Sequence, residues 1–346
     1  MLGVSPGGAA GHIQKGVEEL MSVPAIVAEG LVKQFGKVRA LDDLDLEVQE
    51  GSVLGVLGPN GAGKTTAIRI LATLLEPDAG RATVGGYDVL RQPGEVRRLI
   101  GLTGQYAAVD ELLSGHENLY MLGRLLGLPP KEARARADAL LQSFELTDAA
   151  HKTVKAYSGG MRRRLDLASS LVGRPPFLFL DEPTTGLDPR SRRQLWNMIT
   201  GLVREGTTVL LTTQYLDEAD YLADRIAVID HGRVIAAGTA DELKAKVGGQ
   251  VVEARVATQE LAAVAAIFAE IAENEATIDR DAQIVSVPVG DPAMLRTASR
   301  RLDEAGITST ELALRRPSLD EVFFGLTGRP VEDPSLDDLE SERSGT

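Results

Sequence analysis

The chain has 346 residues, no cysteine, and a formal charge of −13 from 37 basic and 50 acidic side chains. Without cysteine, a disulfide-stapled domain and a thiolate zinc site are excluded. With an acidic surplus, a free-standing nucleic-acid binder is not expected, because neutralising phosphates needs basic residues.

Residues 1–22 read as a Gly-rich disordered leader, with Met21 as an alternative start. The leader has no apolar core flanked by basic residues, so it does not read as a secretory signal. Nowhere does the chain approach the ~18 consecutive apolar residues of a membrane span, so a membrane role would need a partner. Residues 23–245 alternate β-rich runs with amphipathic helical stretches, the α/β pattern. Near-continuous apolar runs at 53–57, 177–180 and 207–211 predict strands of a mostly parallel sheet, buried on both faces. Residues 107–172 carry helical patterning, with helices expected over 119–128 and 131–141. The stripe Leu119, Leu122, Leu125 and Leu126 reads as insert core or as a docking face. After Gly248-Gly249, strands are expected over 250–256, 283–289 and 307–314 and helices over 259–272 and 292–304. Ser318 then caps a short helix through Phe324. This makes residues 250–328 a small α+β domain. Residues 331–346 carry six acids and one Arg and read as a disordered tail.

Chemistry enters at Gly58-Pro59-Asn60-Gly61-Ala62-Gly63-Lys64-Thr65, which fits G-x-x-x-x-G-K-[ST] between a strand and a helical run that starts at Thr66. Such glycines let backbone N–H groups turn in around a phosphate, and the helix start adds partial positive charge. Lys64 reaches phosphate oxygens and the Thr65 hydroxyl suits Mg²⁺. Phe177-Leu178-Phe179-Leu180-Asp181-Glu182 ends an apolar strand in two carboxylates, at the strand edge where α/β sheets bind ligands. Asp181 is placed to hold Mg²⁺ through water and Glu182 to act as general base on an attacking water.

Tyr157-Ser158-Gly159-Gly160-Met161 is a second anion-type helix start. It resembles the Leu-Ser-Gly-Gly-Gln signature of ATP-binding cassette (ABC) ATPases. The resemblance implies an α/β P-loop ABC ATPase core over 23–245, with a helical signature subdomain at about 107–172 and the small α+β domain behind it. It further implies that Phe35 stacks on adenine, unless it is a core Phe, that Gln105 senses Mg²⁺ and the attacking water, and that Asp188, in Gly186-Leu187-Asp188-Pro189, meets the partner subunit. Gln214 stands where the family usually has a His. A neutral amide can donate to a γ-phosphate but carries no charge, so slow ATP hydrolysis dependent on Glu182 is expected.

The phrases Leu102-Thr103-Gly104-Gln105-Tyr106-Ala107, Tyr157-Ser158-Gly159-Gly160-Met161-Arg162-Arg163-Arg164-Leu165-Asp166 and Thr212-Thr213-Gln214-Tyr215-Leu216, with the closing Pro317-Ser318-Leu319-Asp320-Glu321-Val322-Phe323, are similar to the daunorubicin/doxorubicin-resistance ATP-binding proteins over about residues 26–328. That similarity implies a peripheral subunit on the cytoplasmic face of the cell membrane. It would bind ATP and Mg²⁺, form a head-to-tail homodimer, and power export of hydrophobic drugs or lipids through a separate integral-membrane permease. An importer ATPase and a non-transport cassette ATPase are the alternatives. The C-terminal domain is expected to stabilise the dimer or to regulate it.

Overall fold

The computed structural model describes residues 24–104, 109–246 and 250–327. It divides into two compact units between Ile235 and Ala236.

The first unit opens with two long strands, β1 (Pro24–Phe35) and β2 (Val38–Gln49), paired antiparallel about a turn at Gly36. Strand β3 (Val53–Leu57) leads through a loop into helix α1 (Lys64–Leu71). Then come β4 (Ala79–Val84), β5 (Tyr87–Asp88), α2 (Pro93–Leu99) and β6 (Ile100–Thr103). Three helices follow: α3 (Gly115–Leu125), α4 (Pro130–Ser143) and α5 (Gly159–Ser170). The chain re-enters the sheet as β7 (Phe177–Asp181) and continues through α6 (Pro189–Arg204), β8 (Thr208–Thr213), α7 (Leu216–Leu222), β9 (Arg225–Asp230) and β10 (Arg233–Gly238).

Two sheets result. One is four-stranded, in the order β2-β1-β4-β5; the other is six-stranded, in the order β10-β9-β3-β8-β7-β6. In the larger sheet β3 runs parallel to both β8 and β9, and β7 parallel to both β6 and β8. Side chains alternate across a strand, and here both faces are covered. Phe177, Phe179 and Leu210 point into a core shared with α1 and the antiparallel sheet. Leu178, Leu180, Val209 and Leu211 point into a second core shared with the three helices and α6. That double burial is why these runs read as continuous hydrophobic stretches.

The antiparallel sheet was not specified by the sequence reading, although β2 shows the alternation clearly. Leu44, Leu46 and Val48 are buried, while Asp43, Asp45 and Glu47 face out. In the helical region, α3 starts with a reciprocal cap: Glu117 N–H donates to Ser114 Oγ (3.2 Å) and Ser114 N–H donates to Glu117 Oε2 (2.8 Å). Its leucine stripe splits in two. Leu119 is fully buried in the second core, whereas Leu125 and Leu126 are 75% and 61% exposed.

The second unit begins earlier than residue 250. Helix α8 (Ala240–Lys246) belongs to it, because Leu243 is fully buried and Arg316 binds Asp241 at 2.8 Å. Strand β11 (Gln250–Arg255), helix α9 (Leu261–Ala272), strands β12 (Thr277–Asp279) and β13 (Ile284–Val289), helix α10 (Met294–Glu304), strand β14 (Glu311–Arg315) and helix α11 (Leu319–Thr327) complete it. The sheet order β12-β13-β11-β14 is antiparallel throughout, a split β-α-β arrangement. Val264, Phe268, Ala298 and Leu302 of α9 and α10 cover Val252, Ala254, Val285 and Val287. The three-residue β12 was not anticipated. Ser318 does cap α11, sharing a reciprocal pair of hydrogen bonds with Glu321.

Candidate functional site

The loop from Gly58 to Gly63 sits at the carboxyl end of β3, the centre of the parallel sheet. Gly61 and Gly63 have φ of 81° and 108°, a left-handed region that side-chain-bearing residues avoid. The loop also lies hard against neighbouring backbone. A Cβ on Gly58 would stand 2.4 Å from the Ile229 carbonyl oxygen, and one on Gly63 2.4 Å from that of Ala40. Pro59 and Asn60 form the outer part of the loop, Ala62 is buried, and Thr66 lies half-buried in the first turn of α1. No side chain caps α1 and no acid occupies its first turn, so its positive end is open to an anion. Lys64 is buried. Its ammonium donates to the carbonyls of Gly58 (2.8 Å) and Pro59 (3.2 Å) and pairs with Glu182 Oε1 at 3.2 Å.

Asp181 and Glu182 do different things although they are adjacent. Asp181 Oδ1 accepts hydrogen bonds from Thr65 Oγ1 (3.1 Å) and Thr212 Oγ1 (2.6 Å), joining the phosphate loop to two strands. Glu182 leaves the strand with φ 49°, a left-handed conformation that costs a non-glycine residue about 1–3 kcal/mol and persists only when surroundings enforce it. They do so from two sides. The Glu182 N–H donates to Thr212 O (3.1 Å) and Thr212 Oγ1 (3.2 Å), and its carbonyl accepts from Arg163 Nη2 (2.9 Å). Gln214 is buried just past β8, in a turn closed by Tyr215 N–H donating to Thr213 Oγ1 at 2.9 Å. Behind it Glu218 is fully buried, and Trp196 Nε1 donates to its Oε1 at 3.0 Å. Burial pushes the Glu218 carboxyl above its ordinary range, opposed by the hydrogen bond from Trp196.

A second cluster is exposed. Ser158 Oγ accepts from Met161 N (3.3 Å) and so caps α5, with Gly159 beside it on the surface. Asp188 caps α6 through Arg190 N and Ser191 N (3.0 Å each) and takes the Ser191 hydroxyl at 2.6 Å. These bonds, the serine hydroxyl first, hold the Asp188 carboxyl below its usual range. The two helix starts touch, since a Cβ on Gly160 would stand 2.6 Å from Ser191 Oγ. Phe35 ends β1 half-exposed, with the Lys33 ammonium 5.7 Å from its ring centre, so it is not a core phenylalanine. Gln105 lies outside the described residues.

The structure thus brings Lys64, Thr65, Asp181 and Glu182 together and places Ser158, Gly159, Gly160, Met161 and Asp188 in a separate group. Sequence reasoning assigned no role to Thr212, Arg163 or Glu218. Thr212 stood inside a family phrase without a function, and Glu218 lay just beyond it. Arg163 was one of three consecutive arginines with nothing to single it out.

The Thr65 hydroxyl beside the Asp181 carboxylate is a hard-oxygen pair of the kind Mg²⁺ takes. Among the described residues no group of three or more acidic or histidine side chains converges on a metal position.

A phosphate loop, a strand-end Asp-Glu pair and a Ser-Gly-Gly helix start on a helical insert are the parts of an ATP-binding cassette ATPase, and the chain is one. The family model for ABC transporters matches residues 41–185. A daunorubicin resistance ATP-binding protein of Streptomyces coeruleorubidus is 56% identical over 309 residues, 89% of this chain and 97% of that protein. The daunorubicin/doxorubicin resistance ATP-binding protein of Streptomyces peucetius is 53% identical over 320 residues, 92% and 97% of the two chains. Among solved structures, an ATP-binding subunit of an ABC transporter superposes with TM-score 0.58 at 27% identity, covering 64% of this chain and 92% of that one. A dimeric ATP-binding cassette bound to ADP and Pi superposes with TM-score 0.57 at 25% identity, covering 62% and 98%. The chain belongs to the family of daunorubicin/doxorubicin resistance ATP-binding proteins.

Proposed function

We propose that this chain is the ATP-hydrolysing subunit of an exporter of hydrophobic drugs, working as a head-to-tail homodimer beneath a separate membrane permease. The observation that carries this reading is the division of the site into two groups. The buried group holds a phosphate loop, a lysine and two carboxylates. The exposed group presents an anion-type helix start and Asp188 to the outside. A second copy related by a two-fold axis would bring each signature over the other copy's phosphate loop.

Within one copy the residues divide the work as follows. The loop N–H groups and Lys64 hold the phosphates, and Phe35 offers its half-exposed ring to the base. Thr65 and Asp181 would hold Mg²⁺, which neutralises charge developing on the transferred phosphoryl group. Glu182 takes the proton from the attacking water, and Gln214 donates an amide hydrogen bond toward the terminal phosphate. Gln105 stays in this proposal as a sensor of Mg²⁺ and water.

Drugs as the exported cargo are supported by the relatives' names, which speak of drug resistance. Besides the two above, a linearmycin resistance ATP-binding protein of Bacillus subtilis is 34% identical over 310 residues. No helix among the described residues is long and apolar enough to cross a membrane, which supports a peripheral place on the cytoplasmic face. Leu112, Leu125 and Leu126 expose apolar side chains on the helical region and support docking to the permease there. The second unit is assigned to dimer stability or regulation.

The test is drug accumulation in cells expressing this chain with a candidate membrane permease from the same genome. Accumulation should fall only with both proteins present and an intact Glu182. A Leu112→Asp chain should keep its ATPase activity and lose export. Equal accumulation with and without the ATPase would overturn the reading.

A further inference from the structure

Arg163 lies one turn into the signature helix α5, and unlike its neighbours it points inward. Arg162 reaches Glu111 at 2.9 Å and Arg164 reaches Glu145 at 3.4 Å, both exposed acids. Arg163 is buried. A guanidinium has five N–H donors in a rigid fork, and here all five are taken. Nε donates to the Pro183 carbonyl. Nη1 donates to Gly104 O (2.8 Å) and Asp166 Oδ2 (3.4 Å). Nη2 donates to Asp181 O (3.3 Å) and Glu182 O (2.9 Å). Four of the five acceptors are main-chain carbonyls, and they fall in two segments. One is the turn that carries Asp181 and Glu182; the other is Gly104, next in sequence to Gln105.

Burial works against the charge on Arg163, and Asp166, Glu218, Asp181 and Glu182 hold it in place. A side chain serving only to fill space would not need a fork matched to five oxygens. The fork fits a different task, which is to fix a strained main-chain turn to a helix. Glu182 has φ 49°, and the Arg163 bond to its carbonyl is the restraint on that turn that comes from α5.

We propose that Arg163 is a positioning residue for hydrolysis, tying the main chain of Glu182 to the signature helix of its own copy. The inference rests on the dimer reading above. There, this signature helix is seated by the nucleotide on the partner's phosphate loop, while Glu182 serves the nucleotide on its own. Arg163 then makes the base of one site depend on occupancy of the other. The two sites become coupled through a main-chain bond rather than through any group that touches nucleotide.

The test is steady-state ATPase of the full chain against ATP concentration, with thermal melting as a control. The parent should show a Hill coefficient between one and two. Arg163→Lys keeps the charge but loses the fork. Its kcat should fall at least about tenfold with KM within about threefold, the mark of an interaction needed in the transition state. Its Hill coefficient should drop to one. Asp166→Asn, which loosens the guanidinium from within the helix, should move both quantities in the same direction by less, and decides the matter if Arg163→Lys does not fold. An Arg163→Lys chain with parental kcat, a fallen kcat with an unchanged Hill coefficient, or a parent with no cooperativity each overturns the proposal. Glu182→Gln separates the two readings. If it hydrolyses ATP like the parent, the assignment of Glu182 itself has failed. If it is inactive while Arg163→Lys is normal, only the positioning role has failed.

Discussion

Replacing Glu182 by Gln should do two things at once, in opposite directions. Lys64 has three N–H donors and meets three oxygens: Gly58 O at 2.8 Å, Pro59 O at 3.2 Å and Glu182 Oε1 at 3.2 Å. Only the last carries charge. Removing one member of a buried ion pair costs about 3–5 kcal/mol when the other is left bare. Lys64 keeps two carbonyls and the amide oxygen of the new Gln, so the expected loss is smaller, about 1–2 kcal/mol. A bound phosphate returns the missing negative charge. The variant should therefore bind ATP more tightly, by roughly 5–30-fold for that energy. Its melting temperature without nucleotide should be lower, and the rise on adding Mg-ATP larger. Hydrolysis should go the other way. Loss of a general base lowers kcat by about 10²–10⁴-fold, equivalent to about 2.7–5.5 kcal/mol of barrier. Phosphate release and thermal melting with and without Mg-ATP, on the same preparations, read both effects. A kcat within about tenfold of the parent would refute the general-base role. An unchanged nucleotide-induced shift in melting would refute the competition between Glu182 and phosphate for Lys64.

Three further outcomes are expected. Phe35→Ala should weaken ATP binding by about 1–3 kcal/mol with little change in melting temperature, because the ring is half-exposed; equilibrium binding of a fluorescent ATP analogue measures it. Gly160→Ala puts a Cβ against Ser191 Oγ, which is already bound to Asp188. It should lower ATPase at least about tenfold while single-chain ATP affinity stays within about twofold, a split that places its effect in the transition state. Glu218→Gln tests the buried acid. The Glu218 carboxyl is raised by burial, so its contribution to stability is fully present below its unfolded pKa and is lost as pH rises through the folded one. In urea unfolding at pH 5 and pH 8, the Gln variant should gain on the parent at the higher pH; a constant difference would show that folding does not raise the Glu218 pKa.

The parallel sheet and the phosphate loop were legible because each leaves a mark in short stretches of sequence. Phe177–Leu180 is apolar throughout because both of its faces are covered. Gly58 and Gly63 are fixed by main-chain collisions at Ile229 and Ala40, and Gly61 by its positive φ. The antiparallel sheet was harder. In β1 the register shifts repeatedly, and each bulge breaks the two-residue alternation that marks a strand. The leucine stripe of α3 was ambiguous for a different reason. Leu119 is core and Leu126 is on the surface, yet a spacing of about two helical turns puts both near one face, and only the packing around each separates them. Arg163 was invisible because arginine normally stays exposed unless paired. Its reason for burial lies in carbonyls of Gly104, Asp181, Glu182 and Pro183, which any residue at those positions would have supplied.

The strained turn at Glu182 ties these observations to one another. In a regular strand, successive side chains face opposite ways, and Asp181 and Glu182 would be forced apart with no adjustment open to the second. The left-handed step frees Glu182 from that constraint, at a cost its neighbours must offset. The two anchors are not equivalent. Thr212 belongs to β8, and its hydroxyl also binds Asp181, so it moves with the sheet and with the residue proposed for Mg²⁺. Arg163 belongs to α5, whose Leu165, Leu167 and Ala168 are packed in the second core with the helical insert. A shift of that insert leaves the Thr212 anchor untouched and pulls on the main-chain carbonyls of Asp181, Glu182 and Pro183. Strain held by one fixed and one movable restraint is a means of setting a base in place without altering the phosphate loop. Hydrolysis can then answer to the helical region, while ATP binding answers to the sheet.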